Sequence, residues 1–133
     1  MCKENVRCVV VADRHHALME GIRGLLETTF EAVVMVADEV SLLESASRLS
    51  VALAVVDLAL RHGDGIGMIR RFRARFPKMK MIVISVLDEP GVSKSALEAG
   101  ANAFVLKRAI ATDLLPAVDA VLAEQRYVSP GVR

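Results

Sequence analysis

Leu53-Ala54-Val55-Val56-Asp57 is an apolar run that ends in a carboxylate. A short run with no polar alternation suits a strand covered on both faces, as in a parallel sheet. Four other runs share this character: Val6–Ala12, Ala32–Ala37, Met81–Ile84 and Ala103–Leu106. Between them, apolar residues recur at helical spacing. Leu18, Ile22, Leu25 and Leu26 mark the first helix, and Ile69, Phe72 and Phe76 mark another over Gly65–Phe76. Leu114, Val118, Val121 and Leu122 mark the last. Ser41–Leu49 and Gly91–Ala99 are shorter candidates, the second followed by Gly100 at the position glycine favours after a helix. Pro116 lies several residues into the last pattern, beyond the first-turn position that tolerates proline, and predicts a bend. Five repeats of strand then helix predict a doubly wound α/β domain: a five-stranded parallel sheet with helices on both faces.

Composition agrees with one folded domain. The chain has 133 residues, 53% hydrophobic and 25% charged, which is the balance of a globular protein. A formal net charge of +1 argues against a nucleic-acid surface on this segment. Arg70, Arg71, Arg73 and Arg75 form its one basic cluster, and helical spacing spreads them over a solvated face. Cys2 and Cys8 form no metal-type cluster with histidine, so a reduced, cytoplasmic setting is expected. Met1-Cys2-Lys3-Glu4-Asn5 lacks the pattern of a signal peptide, and no apolar run approaches a membrane span.

The polar residues that follow the strands carry the chemistry. Asp13, Asp57, Ser85 and Lys107 each stand at or just beyond the carboxyl end of a different strand run. In an open parallel sheet these ends gather along one edge, where ligands bind. One cleft would then hold two carboxylates, a hydroxyl and an ammonium, a set suited to a cation and a phosphoryl group. An ionised Asp57 at the end of so apolar a strand needs cationic company, which Lys107 or a metal could supply. A carboxylate can attack phosphorus to form an aspartyl phosphate. A divalent ion and a fixed ammonium neutralise charge on the group in transfer. Ser85 could donate a hydrogen bond to a phosphoryl oxygen.

The chain resembles the response regulator receiver domains of two-component signalling, from about Val6 to Pro130. The likeness is carried by Ala12-Asp13-Arg14-His15, Asp57-Leu58-Ala59-Leu60, Asp64-Gly65, Val83-Ile84-Ser85, Ala99-Gly100-Ala101, Phe104-Val105-Leu106-Lys107 and Arg126-Tyr127-Val128-Ser129-Pro130. The intervals from Asp57 to Ser85 and from Ser85 to Lys107 look like the NarL/FixJ (LuxR-type) subgroup. The resemblance implies a flavodoxin-like strand order 2-1-3-4-5. It makes Asp57 the phosphoacceptor, charged by a histidine kinase or a small phosphodonor, and Lys107 the partner of the phosphoryl group. It makes Ser85 and Phe104 a switch pair. It places magnesium on Asp13, Asp57 and the backbone carbonyl of Ala59. The only catalysis it implies is self-directed, namely phosphoryl uptake and slow loss.

Two departures stand out. Family members usually carry two adjacent acids after the first strand, and here Arg14 takes the second place. That exchange removes an oxygen ligand and adds a cation, so weakened magnesium binding is expected. Pairing of Arg14 with Asp57 would be one substitute for the ion's charge. Arg61-His62-Gly63 stands where a proline is frequent, with His62 expected as a surface loop residue. His15 and His16 are expected as capping or exposed residues. Residues 1–125 are read as the receiver and 126–133 as the start of a linker toward a helix-turn-helix domain absent from this chain. DNA would be met only through that domain, with a homodimer possible on phosphorylation and no membrane partner. The competing reading is a pseudo-receiver that works through constitutive contacts.

Overall fold

The computed structural model describes residues 8–61 and 63–132. Val6 and Arg7 of the expected first strand, Cys2 and His62 lie outside the described residues. The elements in order are β1 (Cys8–Ala12), α1 (His16–Leu26), β2 (Ala32–Val36), α2 (Glu39–Arg48), β3 (Val51–Asp57), α3 (Gly65–Arg75), β4 (Lys80–Ser85), α4 (Pro90–Ala99), β5 (Ala103–Leu106), α5 (Ile110–Leu122) and β6 (Tyr127–Val128). A single 3₁₀ turn, Lys107–Ala109, leads from β5 into α5.

All pairings are parallel, in the order β2-β1-β3-β4-β5-β6. The doubly wound arrangement expected from the sequence is present, with a sixth two-residue strand added at its edge. Alternation along each strand divides the core in two. Val9, Val11, Val55, Ile82, Ile84 and Val105 share one buried cluster with residues of α1 and α5. Val10, Ala12, Val56, Met81, Val83 and Phe104 share the other with residues of α2, α3 and α4. Each fully buried aliphatic side chain is worth about 1.5–3 kcal/mol over its exposed state, and the central strands are apolar on both faces.

Boundaries moved where backbone pairing outran hydrophobicity. β3 and β4 extend to include Asp57 and Ser85, which pair as Asp57 with Ile84 and Ser85 with Leu106. In α1 the buried residues are Met19, Ile22 and Leu26, while Leu18 and Leu25 pack at the flank. Asp38 caps α2 by accepting a hydrogen bond from the Ser41 N–H at 2.7 Å. Pro116 does not end α5. It sits on the exposed side, so the Thr112 carbonyl that loses a donor can be hydrated.

The basic cluster of α3 lies on the expected solvated face at Arg70, Arg71 and Arg75, and departs from it at Arg73. Arg73 is only partly exposed, and its guanidinium donates to the carbonyls of Phe76, Met79 and Gly100 and to Asn102 Oδ1. Burial pushes its pKa below the ordinary arginine value. Gly100 is the counterpart of this packing: its φ is 128°, and a Cβ there would overlap the Arg73 side chain. Arg71 pairs with Glu39 and Asp64, whose hydrogen bonds raise its pKa. Arg75 donates to Ser47 Oγ. Arg71, Arg73 and Arg75 thus tie α3 to its surroundings, while Arg70 stays exposed.

Candidate functional site

Register brings the site together. Ala12 lies beside Val56, and Asp57 beside Ile84. The residues just past these pairs therefore share one edge. Two backbone bonds carry the ladder one step further: the Asp13 N–H donates to the Val36 carbonyl at 3.1 Å, and the Leu58 N–H to the Ile84 carbonyl at 2.9 Å. Asp13 and Asp57 are thus fixed by main-chain bonds, and both are buried, Asp13 at 0% exposure and Asp57 at 3%.

The Lys107 ammonium lies 3.0 Å from Asp13 Oδ2 and 3.0 Å from Asp57 Oδ2, so one cation serves two buried carboxylates. Its contact with Asp13 Oδ2 is ionic without hydrogen-bond alignment, and that oxygen has no hydrogen-bond partner. The other Asp57 oxygen, Oδ1, accepts from the Ala59 N–H at 3.1 Å. Charges taken out of water in this way need close compensation. Lys107 supplies it for one carboxylate and leaves the trio with net negative charge. The pocket favours a cation.

Ser85 is buried, and its hydroxyl oxygen accepts from the Leu87 N–H at 2.9 Å. No hydrogen bond donated by that hydroxyl is present among the described residues. Phe104 lies fully buried on β5, in the cluster that α3 and α4 cover, with its ring already inside the core. A cleft of about 500 Å³ opens over Asp57, Ser85 and Lys107. Leu58, Ile66, Val86 and Val92 give it apolar walls.

Arg14 is exposed and makes no ion pair or hydrogen bond among the described residues. The suggested pairing of Arg14 with Asp57 is therefore corrected: Lys107 holds that place. The structure also brings in a residue that sequence reasoning set aside. His15 does precede α1, but its ring makes no cap bond. Its Nδ1 lies 3.0 Å from Asp13 Oδ1, and its backbone N–H donates to the same oxygen at 2.8 Å. The available signal was the spacing, because residues i and i+2 of an extended segment share a side. His16 stays exposed beside Glu20.

Asp13, His15 and Asp57 each offer one ligand atom, and all three atoms lie within 4.8 Å of one another. The two carboxylates fit a divalent cation; an imidazole as the third donor is unusual for magnesium.

An open parallel sheet in this strand order, with helices on both faces and polar residues gathered at its carboxyl edge, defines the class of flavodoxin-like domains. The chain belongs to the response regulator receiver domain family, whose model matches residues 9–119. It is similar to the transcriptional regulatory protein RcsB of Escherichia coli (strain K12), 28% identical over 130 residues, covering 93% of this chain and 60% of RcsB. It is equally similar to the transcriptional regulatory protein DegU of Brevibacillus brevis, 28% identical over 131 residues, covering 97% of this chain and 56% of DegU. Among solved structures it matches the isolated receiver domain of RcsB from Salmonella enterica serovar Typhimurium in the presence of phosphomimetic BeF3−. The TM-score is 0.84 at 26% identity, over 96% of each chain. These relatives set the chain in the NarL/FixJ subgroup. It spans about 60% of the length of the curated relatives it matches.

Proposed function

We propose that this chain is a phosphorylation-controlled signalling switch that accepts a phosphoryl group on Asp57. The observation that carries this reading is the Lys107 ammonium 3.0 Å from both buried acids, at the floor of an open cleft. An Asp57 oxygen attacks phosphorus, the new O–P bond forms, and the donor's bond to phosphorus breaks. The donor is a histidine kinase phosphoimidazole or a small acyl phosphate. Lys107 is placed to leave its shared position and pair with the added charge. Ser85 has a proton to donate to a phosphoryl oxygen. Moving its oxygen would release the Leu87 N–H and so loosen the loop between β4 and α4, with Phe104 as the packing partner in the switch. Asp13 and Asp57, with the Ala59 carbonyl, would hold a divalent cation, which supplies charge neutralisation when bound. The chain has no role in this scheme as an enzyme on an external substrate.

In the same reading the switch controls transcription. Its support is that RcsB and DegU are transcriptional regulatory proteins longer than this chain. A helix-turn-helix domain beyond residues 126–133 would make the DNA contact, with a homodimer forming on phosphorylation. The pseudo-receiver reading rested on the oxygen ligand that Arg14 removes; the buried Asp57 paired with Lys107 favours the switch.

Incubation with acetyl phosphate and a divalent cation should add the mass of one phosphoryl group, and Asp57→Ala should abolish the gain. An unchanged mass, or labelling that survives Asp57→Ala, refutes the assignment.

A further inference from the structure

We infer that His15 is a metal ligand, and that with Asp13 and Asp57 it makes this pocket select a first-row transition divalent ion over magnesium. The inference concerns the metal preference of the site just described and rests on that reading of the pocket.

Three independent observations converge. The first is geometric. Two ligands at right angles around an ion about 2.1 Å from each stand about 3 Å apart. Asp13 Oδ1 and His15 Nδ1 are 3.0 Å apart. Asp57 offers its own ligand atom within 4.8 Å of both. A shared ion would take the place of the hydrogen bond that now joins ring and carboxylate, displacing its proton. The His15 ring also lines the same cleft as Asp57 and Lys107.

The second observation is electrostatic. Asp13 is fully buried, and its Oδ2 has an ionic neighbour but no hydrogen-bond partner. Two carboxylates facing one ammonium leave negative charge that an added cation would offset.

The third is the nature of the donors. Arg14 contributes no oxygen and points away to solvent. Past it, the extended segment returns His15 to the Asp13 side, so a nitrogen donor joins the oxygen set. Imidazole suits iron-to-zinc ions better than magnesium, which holds to oxygen and water in near-octahedral order. His15 is 70% exposed, so an entering ion has a path to it.

Co2+ serves as the probe, followed by visible absorption on the whole chain, with Mg2+ measured by competition. His15→Ala should weaken Co2+ binding at least tenfold and change Mg2+ binding less than twofold. His16→Ala, an exposed residue beside Glu20 that does not line the cleft, should leave Co2+ binding unchanged. His15→Asp should move the preference back toward Mg2+. If His15→Ala binds Co2+ as well as the parent, or loses Mg2+ and Co2+ equally, the inference is overturned. These readouts need no phosphoryl group. Failure of acetyl phosphate to label Asp57 would remove the phosphoacceptor reading and leave the metal result standing, and a His15-independent site would do the reverse.

Discussion

Lys107 bears the largest share of the site's electrostatics. Two carboxylates, 0% and 4% exposed at the side chain, depend on one ammonium that is itself only 10% exposed. Lys107→Met should therefore cost about 2–4 kcal/mol, somewhat under the full value for breaking a buried pair, because solvent reaches the amine. Asp57→Asn should behave oppositely and hold or raise the unfolding midpoint, since a one-to-one pair of Asp13 and Lys107 remains. Parallel urea melts of the two variants check this. Equal losses would show that the triad is held by packing and not by charge balance. Residue identity also explains what the sequence made legible here. Asp13, Asp57, Ser85 and Lys107 were readable because each follows an apolar run. The exposure of His15 was readable too, but its contact with Asp13 and the lack of a partner for Arg14 among the described residues were not, because both turn on side-chain direction in a short extended segment.

At the scale of elements, the helices owe their starts and ends to local chemistry that the sequence only partly displays. Asp38 accepts the Ser41 N–H at the head of α2, and this bond holds its carboxyl below the usual range, against a small opposing effect of burial. A depressed acid contributes stability that is present above its unfolded value near 3.8 and is lost as pH falls through the lower folded value. Asp38→Ala should lower the thermal midpoint at neutral pH by more than it does in strong acid, where the parent has lost the same bond. Thermal scans across the acid range test this; a difference that grows on acidification would contradict it. α3 teaches another lesson. Its arginines are alike in sequence, yet Arg73 satisfies carbonyls from the ends of α3 and α4 while Arg71 faces acids on α2 and α3. Periodicity gave their angular spread around the helix, and the neighbours that would receive them came from other elements.

For the molecule as a whole, the tail is part of the sheet. Tyr127–Val128 pair with Ala103 and Phe104 of β5. The Ser129 N–H donates to the Phe104 carbonyl, and Ser129 Oγ accepts from the Leu106 N–H at 3.0 Å. This last bond is buried, so Ser129→Ala leaves a buried N–H unpaired at a cost of about 1–3 kcal/mol. Denaturant titration checks it, and a loss under a few tenths would mean that the tail is ornamental to folding. Because Leu106 directly precedes Lys107, the same contact anchors the strand end that carries the ammonium. Among the described residues no helix is long and apolar enough to cross a membrane.

The amino-acid order alone determined the alternation of strands and helices, the burial of the sheet on both faces, and the edge on which the four polar residues gather. These follow from hydrophobic period and from where each apolar run stops, both local properties of the chain. Only the tertiary structure decided that one lysine serves two acids, that Arg14 is left unpaired among the described residues while His15 meets Asp13, that Arg73 is half-buried against carbonyls, and that the tail becomes a sixth strand. Each of these depends on inter-strand register and on the direction of a side chain toward residues remote in sequence, which no local pattern encodes.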